Sequence, residues 1–419
     1  MNRLLPLFVI AACGTSSHST TISEIQGPFT GETCALATPR RTPVKDLRFE
    51  QWLGRVGDRS WVLGERDHHH VLVTLGNDGA LAITPLPGES GDKFTAIVDG
   101  THLWFDREVR DPDHEELFDI ELSEARPTIP KPQTLVGKTL GGTNAFGMNG
   151  KLLLAYSFAR FAGGPGFQLL DRQKHAPIAT LQYPMFGIDD PPIRCVTACF
   201  AVTRPDQPGR SLAAQVFPPD GTQTTAPLTE DEQVVDVKLV PLGERTLVVW
   251  DGFARNGLFA RMVDANGHAA GDEFTLHPGH ALNVEIAPGP RTALAYRDAR
   301  GWALAKLAQD SHGLEAEQRI GFPQASFVTV AQTTDGTLVM AFTSGISVDT
   351  LVPPTTASAV FLPATGTAAA PIDMMFGERR FSWVPFPLVA PGFAGALVIE
   401  QGYSASNGKL VMLRQPCGK

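Results

Sequence analysis

Charge is scarce in this chain: Asp, Glu, Lys and Arg make up only 19% of its 419 residues, and aromatic residues 8%. With 43% hydrophobic residues, that excludes a solvated disordered chain, which has too little apolar surface to offset the entropy of ordering. Basic clusters are missing too, and the 44 acidic side chains outnumber the 35 basic ones, for a net charge of -9. Phosphate recognition relies on grouped Lys and Arg that release counterions, so nucleic acid is excluded as a partner. Apart from residues 4–12 the sequence has no apolar run of note, and that stretch is too short to span a bilayer as a helix. No G-x-S-x-G elbow, HExxH pattern, P-loop or dinucleotide fingerprint occurs. The sequence therefore nominates no nucleophile and calls for no cofactor, and its activity is not written in a motif.

What is present begins with an address. The N-terminus MNRLLPLFVIAAC has one positive charge at Arg3, an apolar core and small residues before Cys13, the pattern of a secretory signal. Its end, Ile10-Ala11-Ala12-Cys13, resembles the bacterial lipobox, in which cleavage precedes a cysteine that carries acyl chains, palmitate among them. The resemblance implies a signal peptide at 1–12 and a lipid anchor on Cys13; an ordinary signal followed by a chance cysteine is the alternative. Gly14 in place of Asp favours, by the same likeness, the outer membrane over the inner one. The Ser/Thr/Gly-rich segment that follows has little to bury and reads as a tether, so that 13–32 is anchor and tether and 33–419 a single domain.

Glycine (41) and proline (33) are abundant, which suits short strands and turns. Turns recur at Gly57, Gly100, Gly150, Gly243, Gly289, Gly336 and Gly392, each followed by strand-forming residues such as HLWFD, LLLAY, TLVVW and TALAY. The period is about 47 residues. One turn is missing between Gly150 and Gly243, and its place falls near Thr197, in Arg194-Cys195-Val196-Thr197-Ala198-Cys199. A second series, at Gly79, Gly221, Gly267, Gly313 and Gly366, runs in phase with the first, and its Asn-Gly and Asp-Gly pairs supply the positive φ that tight hairpins need. Two turn series imply a repeated antiparallel meander of four strands, A to D. The fold class is therefore all-β, a β-propeller of four-stranded antiparallel blades, eight in preference to seven; two β-sandwich domains are the alternative.

The last unit supplies FSWVPF, GALVIE and GKLVMLRQPC as strands A to C and then ends. Residues 33–38, before the first A strand, resemble strand D of the third unit, APIATLQYP, and are expected to complete the last blade from the N-terminus. Four cysteines remain once Cys13 is lipidated, and they allow three pairings. On one continuous strand Cys195 and Cys199 would lie about 13 Å apart, too far for a bridge, but a turn between them brings them together. The expected disulfides are Cys195 with Cys199 and Cys34 with Cys417; four free thiols are the alternative.

In propellers the B-to-C and D-to-A connections share one rim, where ligands usually bind, and the tether would leave from the opposite face. Polar residues after the B strands, Asp106, Arg107, Asp251, Arg297, Asp298 and Glu400, are the candidate ligand-binding set. They suit a sugar or charged ligand, or acid–base work, against the plainer reading as salt bridges and turn hydrogen bonds. His68, His69 and His114 occupy the first two such loops and are weak metal candidates; a solvated turn is the plainer reading, and no metal is assigned. Trp61, Trp104 and Trp250 are expected in the core between blades.

The fifth unit, TLVVWDGFARNGLFARMVDANGHAAGDEFTL, resembles a repeat common in exported bacterial propellers, and the sixth, TALAYRDARGWALAKLAQDSHG, is a weaker copy. That likeness implies fold and export rather than chemistry. The chain is also similar in outline to the propeller subunit of the outer-membrane barrel assembly machinery, without the A-x-D-x-x-T-G-x-x-x-W motif of that family's repeats. The expected function is a non-catalytic cell-envelope scaffold that binds a protein or glycan and touches the membrane only through its anchor. The rival is an extracytoplasmic glycan hydrolase or lyase using rim carboxylates or a metal.

Overall fold

Strand B of the fifth unit, Arg245–Gly252, has no alternation of apolar and polar residues: every residue after Arg245 is buried. Such a strand must be covered on both faces of its sheet. Leu247 and Val249 pack towards the following sheet, while Val248 and Trp250 pack towards the preceding one. The same division recurs in the sixth unit, where Leu294 and Tyr296 face back and Ala293 and Ala295 face forward.

The computed structural model describes residues 33–416, except 45–46, 57–58, 77–80, 90–93, 100, 111–112, 136–142, 162–163, 175, 183–190, 205–211, 231–233, 253, 288–290, 321–324, 333–335, 337, 345–355, 363–371, 374–386, 391–394 and 402–405. Among the described residues the regular elements are all strands. The chain is an all-β propeller of antiparallel sheets, six of them separate and four-stranded. Sheet 2 spans residues 94–135, sheet 3 143–182, sheet 4 193–229, sheet 5 234–278, sheet 6 282–320 and sheet 7 325–373. Sheet 1 has eight strands: a meander from Leu47–Val56 to Leu81–Glu89, and a second meander of Pro387–Ala390, Gly395–Gln401 and Ser406–Pro416. The N-terminal strand Thr33–Val44 pairs antiparallel with Ser406–Pro416, and one parallel pair, Leu47 with Asn407, joins the two meanders. The expected partnership of the N-terminal segment with the last unit's C strand is thus present. The proposed last A strand, FSWVPF, lies outside the described residues, and the strand observed there begins at Pro387.

Six apolar clusters fill the spaces between successive sheets from sheet 1 to sheet 7. Trp61, Trp104 and Trp250 lie in them, as expected. On the rim of the A-to-B and C-to-D turns, neighbouring sheets latch onto one another's backbone carbonyls. Asn149 in the sheet 3 turn donates from Nδ2 to the Val196 carbonyl of sheet 4 at 2.6 Å. Thr197 and Ala198 donate backbone N–H groups to the Ala265 carbonyl of sheet 5. Gly267 in that sheet 5 turn has φ +85°, and a Cβ there would sit 3.0 Å from Val216 and 3.1 Å from Phe200. Both its backbone conformation and the close approach of sheet 4 demand glycine.

Cys195 and Cys199 are register partners across the hairpin that replaces the missing glycine turn, with Cα atoms 3.9 Å apart and a disulfide between them. Cys34 stands opposite Gln415 in the terminal strand pair, while its proposed partner Cys417, like Cys13, lies outside the described residues.

The disulfide closes a loop of about five residues, for which chain entropy gives about 2 kcal/mol. The double substitution Cys195→Ala/Cys199→Ala is expected to lower the denaturation free energy by up to about that amount, with the far-ultraviolet β signal retained. Gly267→Ala, which strains φ and crowds sheet 4, is expected to cost about 1–3 kcal/mol in the same measurement.

Candidate functional site

The B-to-C and D-to-A connections meet on the rim opposite these latches, and between sheets 5 and 6 that rim carries two groups of polar side chains. The first starts from backbone irregularity. Strand A of sheet 5 shifts register between Val235 and Lys238, and strand A of sheet 6 between Leu282 and Glu285. Each bulge holds one residue at positive φ, Asp236 at 51° and Asn283 at 54°. Asp and Asn tolerate this region better than other residues with a Cβ. The bulges interlock, because the Asp236 carboxylate accepts a hydrogen bond from the backbone N–H of Val284.

Opposite the sheet 5 bulge lies Asp251, the register partner of Val235 at the end of strand B. Its side chain is fully buried. Oδ1 lies 3.3 Å from Nδ1 of His280, which stands half-buried in the connection between the sheets. Oδ2 is buried with no hydrogen-bond partner among the described residues. Burial raises the Asp251 carboxyl above the usual carboxylate range, against the opposing pull of His280. An ionised Asp251 accepts a hydrogen bond from Nδ1–H of a neutral imidazole, which leaves Nε2 as an acceptor. His280 is itself fixed, since its backbone N–H donates to Oδ1 of Asn256 in the B-to-C loop at 3.0 Å. Lys238 lies 3.7 Å from Asp236 and 3.8 Å from Glu285 on the next strand A. Burial pushes the Glu285 carboxyl up against the pull of Lys238. Burial alone would lower the Lys238 ammonium, but the two carboxylates outweigh it and hold it raised.

The second group is a closed network on the sheet 6 face that looks at sheet 5. Tyr296, Ala303 and Arg319 form one cross-strand row, and the small Ala303 between them leaves room above strand C. Arg319 grips Asp298 with both Nη atoms, at 2.7 and 2.8 Å, and reaches Glu317 at 2.7 Å. Arg300, in the B-to-C turn, also donates to Asp298. Burial works to raise Asp298, but the two guanidiniums prevail and hold its carboxyl at about 2. Burial likewise opposes the net lowering of Glu317, which the Tyr296 hydroxyl and Arg319 produce. The phenol donates its one proton to Glu317 at 2.6 Å, so at the 3.2 Å contact with His277 its oxygen accepts from Nδ1–H. Burial keeps the His277 imidazole below its usual range. Burial, with Glu317 beside it, pushes the Tyr296 phenol up.

Of the residues expected at this rim from sequence, Asp251 and Asp298 are therefore on adjacent sheets but in separate groups. Arg297 stands opposite Leu282 in the register, half-buried. Arg107 is spent on a cross-strand pair with Glu116, at 2.8 and 2.6 Å. The side chains of Asp106, Glu400 and His114 lie outside the described residues, although their strands place them opposite Thr95, Asn407 and Val109. His68 and His69 are exposed and turn to different partners, Glu65 at 3.7 Å and the Gly88 carbonyl at 3.2 Å. Their neighbour His70 is buried edge-on against Phe94. Among the described residues no group of three or more His, Cys, Asp or Glu is placed to hold a metal. Sequence reading missed Asp236, His277, His280 and Arg319. The run Leu276-His277-Pro278-Gly279-His280 in a D-to-A connection was the available signal.

No protein-family model matches the chain, and no curated protein matches its sequence. Similar solved structures include the WD40 β-propeller domain of Doa1, 11% identical, with 72% of this chain and 92% of that one covered and a TM-score of 0.42. The β-propeller domain of Myceliophteria thermophila Cps50 (Swd1) is 11% identical over 77% and 99% of the two chains, with a TM-score of 0.42. AofleA from Arthrobotrys oligospora is 8% identical over 86% and 95%, with a TM-score of 0.42.

Asp298 yields a pH test. Its folded carboxyl titrates below the unfolded value, so its contribution is complete above about pH 4 and is lost as pH falls towards 2, an effect of about 2 kcal/mol. Asp298→Asn is expected to lower stability at pH 7, because Arg319 loses one of its two carboxylate partners, and to flatten the stability change between pH 4 and 2. Equal acid sensitivity in both proteins, measured by denaturant midpoint, would refute this assignment.

Proposed function

We propose that this chain is an eight-bladed propeller lipoprotein of the cell envelope, anchored through Cys13, that binds a protein or glycan ligand on the rim of its B-to-C and D-to-A connections. Seven turns of similar spacing, the Cys195–Cys199 hairpin as the eighth, and pairing of the N-terminal strand with Ser406–Pro416 support eight blades closed by that strand. The lipobox-like end of the signal supports the anchor, and Gly14 supports the outer membrane.

One observation carries the binding reading: the rim between sheets 5 and 6 is clamped before any ligand arrives. Asp298, Arg319 and Glu317 tie the ends of strands B and D, and Asn256 fixes His280. Groups held in place by the fold lose little freedom on binding, which leaves more of their interaction energy for affinity. Leu282, with 47% of its surface exposed, stands beside them as an apolar contact. A second reading, a glycan hydrolase or lyase, is favoured by Asp251 and His280, a raised carboxyl against an imidazole being a known acid–base arrangement.

Affinity capture from envelope extracts, compared between the wild-type chain and the His280→Ala/Leu282→Asp variant, distinguishes these readings. Loss of a captured ligand in the variant, with no turnover of envelope polysaccharides, is the expected result. Release of glycan fragments by the wild type that stops in Asp251→Asn would replace the scaffold by the enzyme. Cys13→Ala is expected to move the chain from the membrane to the soluble fraction and to abolish palmitate incorporation.

A further inference from the structure

His277 stands near the end of strand D of sheet 5, where the strand gives way to the His277-Pro278-Gly279-His280 connection, and its imidazole is buried against sheet 6. Its register partner within sheet 5 is Leu258. The charged groups that face the ring come from sheet 6: Asp298 at the end of strand B, Arg300 in the B-to-C turn, and Glu317 and Arg319 on strand D. Two carboxylates and two guanidiniums balance, and they are already engaged, because Arg319 and Arg300 each reach both carboxylates. A neutral ring joins this arrangement without adding charge. Its Nδ1–H donates to the Tyr296 hydroxyl at 3.2 Å, which leaves Nε2 as an acceptor facing another acceptor, Oδ2 of Asp298, at 3.5 Å. A proton on Nε2 turns that contact into an ion pair, and the imidazolium then competes with Arg319 for Asp298. It also leaves a positive excess in a seam that water reaches poorly.

Two features tie this ring to the rim. A Cβ at Gly279 would lie 3.8 Å from Nε2 of His277, so the backbone of the connection passes beside the ring. Gly279 and His280 are in turn held by Asn256, whose backbone carbonyl accepts the Gly279 N–H at 2.9 Å and whose Oδ1 accepts the His280 N–H. On the far side of the ring, Glu317 follows a bulge in strand D at which Ala316 takes φ +54°. Glycine suits that backbone region; alanine occupies it only where the surrounding contacts impose it.

We propose that His277 is a proton-operated latch on the His277-Pro278-Gly279-His280 connection. Neutral, it closes the seam between sheets 5 and 6; protonated, it draws Asp298 away from Arg319 and frees the connection that carries His280 into the rim. Burial keeps the imidazole below its usual range, so the latch is closed at neutral pH and opens in acid. A histidine with a lowered folded value makes stability level above about pH 6.5 and lets it fall as pH drops from there towards the folded value. That window lies above the one assigned to Asp298. The inference deepens the binding reading given above, on which it rests for one consequence: opening is expected to release a ligand held on this rim.

The test measures amide hydrogen exchange in the full chain at about pH 7.5 and about pH 5, read as protection factors so that the intrinsic pH dependence of exchange cancels. In the wild type the Gly279 and His280 amides are expected to lose protection at least tenfold in acid. In His277→Gln, whose carboxamide takes up no proton, the loss is expected to be under twofold. Thr197 and Ala198, bonded on the opposite rim, are expected to keep their protection, which separates a local opening from general loosening. An equal loss in the variant, or an equal loss at Thr197 and Ala198, overturns the latch. Nitrogen chemical shifts of the wild-type imidazole give a second measurement that needs no variant. Protonation of His277 over the range in which protection is lost supports the latch, and a ring that stays neutral throughout overturns it. If His280→Ala/Leu282→Asp abolishes ligand capture while wild type and His277→Gln open equally, the latch is refuted and the binding reading stands. A His277-dependent opening in a chain that captures no ligand refutes the binding reading and leaves the latch in place.

Discussion

Sheets 2 to 6 of this protein are each apolar on both faces, and most of the architecture follows from that single constraint. A sheet with one wet face can end a domain; a strand such as Arg245–Gly252, buried from its second residue to its last, cannot. Adding a neighbour covers one face and exposes the same need on the neighbour's far side. The sequence meets this need with small and branched residues that alternate between the two interfaces, as Ala293, Leu294, Ala295 and Tyr296 do. The first and last meanders share one sheet, in which Thr33–Val44 lies against Ser406–Pro416.

Packing of this kind leaves little room for charge between the sheets, and the two rims solve their electrostatics differently. The rim of A-to-B turns works on backbone carbonyls, which accept from amides of the adjacent turn and from the Asn149 side chain, and glycine allows the approach. The opposite rim uses side chains. There a small residue in strand C, Ala303, permits Arg319 to reach Asp298 across the sheet. The pairing is bidentate and nearly dry, so removing either partner would strand a charge that water reaches poorly. Such a network holds loops still without itself being a ligand site, and it explains why Asp298, exposed to view in the sequence as a rim carboxylate, is structurally occupied.

The fold was legible because turn chemistry is local. Asp-Gly and Asn-Gly announce hairpins from two residues, and the phase between two turn series reports strand number without any long-range information. The Cys195–Cys199 hairpin could be placed for the same reason, from the gap the period left at Thr197. The site was legible only in part. Asp251 and Asp298 could be found because they follow B strands in register with the repeat. His280, Asp236 and Arg319 could not, because their roles depend on contacts across sheets or across three strands, and no sequence spacing encodes which of two faces a bulged strand presents.

The repeat itself offers a way to separate scaffold from function. Asp236 and Asn283 occupy the same bulge one period apart, with nearly equal φ, so the backbone treats them alike. Lys238 and Glu285 follow them at equivalent positions, and Asp251 and Arg297 stand opposite. The backbone repeats and the charge does not: Asp236 has a fold role, accepting from the Val284 N–H of the next sheet, whereas Asp251 has no such bond to a neighbouring strand's backbone. Asp236 and Lys238 from sheet 5 and Glu285 from sheet 6 meet in one charged group between the two sheets. The burial of Asp251, with its unpartnered oxygen, is moreover a cost that a neutral residue would avoid. A costly residue placed where the fold would accept a cheaper one is the physical signature of a site retained for what it contacts, and in this chain that signature falls on Asp251 beside His280.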